Sequence, residues 1–110
     1  MERIYHLVSR AVWEREPDAD YRVASLASEG FIHCAFGPQV AWAANRFHRQ
    51  TDDLVVLEID PARLSSPLKC EAPAGKTELY PHVYGPINRA AVVRVHSLRR
   101  DDSGAWLFVP

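Results

Sequence analysis

Four β-prone apolar residues, Leu54 to Leu57, follow one another without interruption in the segment DLVVLEID. Successive side chains of a strand point to opposite faces, so a run with no polar alternation needs cover on both sides. The segment from Asp53 to Asp60 therefore predicts a central strand. Such a strand obliges the rest of the chain to supply neighbours and covering layers.

The chain has 110 residues, enough for one core, and a single domain over residues 1–110 is expected. Hydrophobic residues make up 47% and charged residues 25%, the balance of a globular chain rather than a disordered one. Thirteen Lys and Arg against 14 Asp and Glu leave a formal charge of -1, so no global field favours nucleic acid as a partner. No apolar run approaches the ~20 residues needed to span a bilayer, and charges interrupt MERIYHLVSRAVW, which excludes a signal core there. A cytoplasmic location with no membrane partner is expected. The two cysteines, Cys34 and Cys70, form neither a Cys-x-x-Cys pair nor a disulfide scaffold.

Around the central strand the pattern predicts further elements. RIYHLV reads as a strand with Ile4, His6 and Val8 on one face and Tyr5 and Leu7 on the other. Ser9 then caps a short helix over RAVWERE, which Pro17 ends. Gly30 breaks VASLASEGFIHCA, and Phe31 to Ala35 reads as a brief strand with His33 and Cys34 on opposite faces. Pro38 opens a second helix, with Val40, Ala43, Ala44 and Phe47 as its apolar stripe and Asn45, Arg46 and Arg49 outward. PARLSSPLKCEAPAGK predicts one helical turn and an extended piece around Leu68 to Glu71. The prolines and glycine of ELYPHVYGPIN predict a loop or edge segment, because proline cannot donate to a sheet ladder. RAAVVRVHSL returns to strand, and DDSG turns into a final strand, WLFV. The class is α+β, with a mainly antiparallel sheet, some of it strongly curved, and two helices packed on it.

Among the residues able to do chemistry, His48 lies off the apolar stripe of its helix and His96 shares a strand face with Arg94; both read as surface groups. His6 and His33 sit among apolar neighbours on short strands. Each is either a core imidazole satisfied by a hydrogen bond or a functional one. Glu78 precedes the aromatic segment around Tyr80 and is either a surface ion-pair partner or an active carboxylate. A metal site from His33, Cys34, Cys70 and His82 is disfavoured, because adjacent strand residues diverge; no metal is expected.

The stretches IYHLV, EGFIHCA, LVVLEID and ELYPHVYG, in this order and spacing, resemble a bacterial family known as domain of unknown function 952. The resemblance runs from Arg3 to about Leu98. It implies membership of the ADP-ribosyltransferase-like superfamily, with a split, curved sheet around an NAD cleft. By that resemblance His6 would hold the nicotinamide-side ribose, His33 would shape the nicotinamide pocket where tyrosine is common, and Glu78 would complete a catalytic trio. Tyr80, His82 and Tyr84 would line the cleft as substrate-binding residues. Breaking the nicotinamide-ribose bond develops positive charge that a carboxylate stabilises. The resemblance thus implies a small-molecule nucleotide ligand, with NAD as a substrate rather than a resident cofactor. ADP-ribosyl transfer or NAD hydrolysis is one expectation; a non-catalytic nucleotide- or partner-binding module is the other.

Overall fold

The computed structural model describes residues 2–109. The apolar run forms β4, Leu54–Ile59, between β1, Ile4–Ser9, and β7, Val92–Ser97; β3, Ala35–Phe36, lies on the far side of β1. All pairings in this four-stranded sheet are antiparallel. Leu54, Val55, Val56 and Leu57 are all fully buried, and full burial of such side chains stabilises by about 1.5–3 kcal/mol each.

Alternation along β4 distributes this burial between two layers. Val55, Leu57 and Ile59 join Ile4 and Val8 of β1 in the main core. That core is closed by Ile32 and Val83 from a second sheet, ordered β2-β6-β5, in which β2 is Ile32–His33, β5 is Leu68–Glu71 and β6 is Tyr80–Val83. On the other face, Val56 packs with Tyr5, Ala35 and Val40, while Leu54 packs with Ala44 and Trp106. Val40 and Ala44 belong to helix α3, Val40–Phe47, and Trp106 to the small hairpin of β8, Arg99–Arg100, and β9, Trp106–Leu107. The molecule is layered: helix and hairpin, four-stranded sheet, three-stranded sheet.

Two further helices sit at the margins. α1, Arg10–Glu14, starts where Ser9 Oγ accepts the Val12 N–H at 3.3 Å. α2, Ala24–Glu29, ends at Gly30, whose φ of 88° is the left-handed conformation that closes a helix and favours glycine.

The expected split, curved, ADP-ribosyltransferase-like sheet carrying two helices is not what forms. Among the described residues the fold is a mixed α+β arrangement of three antiparallel sheets, none of them curled, with three short α-helices. The chain passes from one sheet to another at a single residue. Cys34 N–H donates to the Pro81 carbonyl at 3.0 Å, yet Pro81 has no N–H to return, and the next two residues pair with β1 instead. The ladder is cut there rather than bent.

Other expectations change for local reasons. The prolines of ELYPHVYG suggested an edge, but β6 is the centre of its sheet, with Pro81 opposite Cys70 on one side and accepting from Cys34 on the other. α2 carries no start signal in the sequence, because its N-cap Val23 supplies no side-chain cap. Phe47, assigned to the apolar stripe of α3, is 66% exposed. Asn45, assigned outward, bonds Trp106 through both backbone groups, at 3.0 Å and 2.7 Å. His48 and His96 are half-buried, and His96 Nε2 lies 2.7 Å from Glu58 Oε1.

Candidate functional site

The β2-β6-β5 sheet has two unlike faces because its strands alternate. Ile32, Pro81 and Val83 turn inward and are buried. The register sets His33 opposite His82, His82 opposite Lys69, and Tyr80 opposite Glu71, so these five share the outer face. Phe31 just before β2 and Tyr84 just after β6 continue the same alternation. The result is a band of rings interleaved with charged groups.

Phe31 lies at its centre. Its ring stacks on His82 at 4.0 Å between centroids, meets His33 edge-on at 4.7 Å and approaches Tyr84 at 5.3 Å. His82, 6% exposed, would be costly to bury without a partner. Its Nδ1–H donates to Glu71 Oε1 at 2.8 Å, and the Tyr84 hydroxyl donates to the same oxygen at 2.6 Å. These bonds, the tyrosine's foremost, hold the Glu71 carboxyl below its ordinary range, and the same contact pushes the Tyr84 phenol up. Glu71 is thus held as a carboxylate, and its Oε2 has no hydrogen-bond partner among the described residues. Lys69 Nζ sits 4.8 Å from the Tyr84 ring, and His33 Nε2 is 2.9 Å from Glu29 Oε2.

His6 lies beneath this face. It is 6% exposed; its Nδ1–H donates to the His33 carbonyl at 2.6 Å, and its Nε2 accepts from the Tyr21 hydroxyl at 2.7 Å. Burial pushes its pKa down to about 4, against the contrary effect of the His33 carbonyl. The ring is neutral with both nitrogens engaged, and burial raises the Tyr21 phenol as well. His6 therefore fixes the backbone of His33 from the core side.

Glu78 is exposed. Its Oε2 accepts from Gln39 Nε2 at 2.9 Å, and its Oε1 faces the Tyr80 hydroxyl at 3.4 Å. Burial raises the Tyr80 phenol first, and the Glu78 charge adds to it. The structure thus brings His33, His82 and Tyr84 together, attaches Glu78 to the same face through Tyr80, and sets His6 below.

Phe31, Glu71, Glu29 and Gln39 are the participants that sequence reasoning missed. The signal for two of them was present: rings recur at every second position in Phe31-x-His33 and Tyr80-x-His82-x-Tyr84, and Lys69-x-Glu71 has the same period. Cys34 is buried in the main core, which raises its thiol pKa, while Cys70 is exposed. Among the described residues, no three His, Cys, Asp or Glu groups are placed to hold a metal, and no helix is long and apolar enough to cross a membrane.

A family model described as "Protein of unknown function (DUF952)" matches residues 7–95. The crystal structure of protein CC0527 from Caulobacter crescentus is similar at a TM-score of 0.84 and 31% identity, covering 96% of this chain and 93% of that one. A crystal structure of a double mutant of CC0527 gives 0.83 at 30% identity, with coverage of 96% and 93%. The solution NMR structure of CC0527 gives 0.79 at 32%, with coverage of 96% and 91%. No curated protein matches the chain.

Proposed function

The chain belongs to the DUF952 family, whose function is unknown, and on that premise we propose that it binds a ribonucleotide of the NAD and ADP-ribose class on the outer face of the β2-β6-β5 sheet. One observation carries this reading: four rings, those of Phe31, His33, His82 and Tyr84, converge beside a carboxylate, Glu71, that retains an unpartnered oxygen. A nucleobase or nicotinamide ring is the ligand part that such rings stack on, at about 1–3 kcal/mol per base. Ribose hydroxyls are the donors that a carboxylate held in its charged form accepts best. Lys69, on the same face, supplies a cation for a pyrophosphate.

In this reading His33 contacts the ligand, while His6 acts through the His33 backbone and touches no ligand. Glu78, Tyr80 and Gln39 extend the face at the other end of β6. A carboxylate here would also stabilise positive charge developing on a ribose carbon, so ADP-ribosyl transfer or hydrolysis is the catalytic form of the proposal. Binding without turnover is its other form.

Titration calorimetry and thermal unfolding with NAD and with ADP-ribose test it. At least one ligand should bind and raise the melting temperature, and Phe31→Ala and Glu71→Gln should each weaken affinity about tenfold or more. The absence of any shift at millimolar ligand would rule the reading out. Nicotinamide release from NAD, measured alongside, separates the catalytic from the non-catalytic form.

A further inference from the structure

A concavity of about 260 Å³ lies between the end of α1, the following loop and Arg89, away from the ring-bearing face. Its lining includes Arg15, Arg22, Arg89, Tyr21, Glu16 and Asp20. Three guanidinium groups against two carboxylates make it a charged hollow in a molecule of almost balanced charge.

Arg89 is immobilised there. Its Nε donates to the Ala19 carbonyl at 2.8 Å, and its Nη2 donates to the carbonyls of Trp13 at 3.0 Å and Glu16 at 2.7 Å. Its guanidinium also stacks on the Trp13 ring at 4.0 Å. Nη1 retains its donors, with no acceptor among the described residues. A permanently charged group, fixed in orientation with unused donors, loses little side-chain freedom on meeting an anion. Arg15 and Arg22 flank it and form no ion pair among the described residues, although Glu16 and Asp20 line the same hollow.

We infer that this concavity binds a small phosphate monoester that also bears sugar hydroxyls. Its phosphate engages the guanidinium groups of Arg15, Arg22 and Arg89, which suit the planar, multidentate recognition of phosphate oxygens. Its hydroxyls donate to the carboxylates of Glu16 and Asp20, which would otherwise repel a bare anion. The volume suits a pentose phosphate and is below the span usual for drug-sized ligands. The floor includes Tyr21, whose hydroxyl is already committed to His6.

The test uses the full chain and three probes: inorganic phosphate, ribose 5-phosphate and adenosine 5'-monophosphate, followed by calorimetry and amide shifts. Ribose 5-phosphate should bind more tightly than inorganic phosphate, with shifts at residues 15–22 and 89. Arg15→Ala and Arg22→Ala, both at exposed positions, should each weaken it about tenfold. Asp20→Asn should weaken ribose 5-phosphate while leaving inorganic phosphate unaffected or improved. Phe31→Ala should leave the ribose 5-phosphate affinity and the shifts at residues 15–22 and 89 unchanged, which keeps the result separate from that of the sheet-face site. Tighter binding of adenosine monophosphate than ribose 5-phosphate, read from the shifts at residues 15–22 and 89 and lost there in the arginine variants, assigns the sugar phosphate to a nucleotide. Absence of binding at millimolar ribose 5-phosphate, or binding indifferent to Arg15→Ala and Arg22→Ala, would overturn the inference.

Discussion

His6 donates one ring nitrogen to the His33 carbonyl and accepts from Tyr21 at the other, in a setting that burial keeps uncharged. An imidazole in the unfolded chain titrates near 6.5, whereas in the fold it does so at about 4. Between those values the unfolded chain binds the extra proton, so acid favours unfolding. The stabilisation from His6 is complete above about pH 6.5 and declines as the pH falls towards 4. Urea titrations at pH 7 and pH 5 should differ by about 2 kcal/mol from this residue. His6→Gln should remove most of that difference, and equal pH dependence in the two proteins would assign the effect to another group. Glu71 also has a depressed pKa, and its stabilisation is lost only below the ordinary carboxylate value, so pH 5 separates the two. That His6 needed partners was legible in the sequence; that Tyr21 and a backbone carbonyl would supply them was not, because both come from distant segments.

At the scale of the element, β6 and its continuation show how local rules act on one side of a strand only. Pro81, with Gly85 and Pro86, predicts a loop or edge segment, but proline withholds a single donor, and that position is where β2 hands the chain to β3. The turn after β6 depends on Gly85, whose φ of 153° favours glycine and whose missing side chain leaves room for Ser66. Ser66 in turn donates to the Pro86 carbonyl at 2.7 Å. Gly85→Ala should therefore cost about 2–3 kcal/mol, from backbone strain together with crowding. Gly75, also at positive φ but in open space, should cost about 1 kcal/mol on the same change. Urea midpoints compare them; equal losses would mean that the contact with Ser66 is not a constraint.

Across the whole molecule, β4 is the element both cores share. Leu57 is fully buried between the two sheets, opposite His6 on one side and Val95 on the other. Leu57→Ala should destabilise by about 2–5 kcal/mol and loosen both sheets together, which amide exchange along β1 and β6 would report. Loss of protection confined to β4 would count against a shared core. The central place of β4 was readable from Leu54 to Leu57 because a run without alternation has few other uses. The division into separate sheets was not readable, since it turns on which distant strand claims the residues after Cys34. The period of two in Lys69-x-Glu71 marks a face, but not what Glu71 meets on it: its partners, His82 and Tyr84, come from β6 and the residue after it, and pairing register is not written in the spacing of either segment.

The alternation that gives the β2-β6-β5 sheet its two faces also governs how such a chain can diversify. Odd and even positions along β2 and β6 answer to different demands: Ile32, Pro81 and Val83 to packing, His33, Tyr80 and His82 to whatever meets the outer face. Mutation at His33 or Tyr80 leaves the packed set untouched, whereas His82, 6% exposed beneath Phe31 and bonded to Glu71, answers to both demands. Under the proposed binding role, His33 and Tyr80 are thus the positions at which evolution, or a combinatorial library, can vary specificity at little cost to folding.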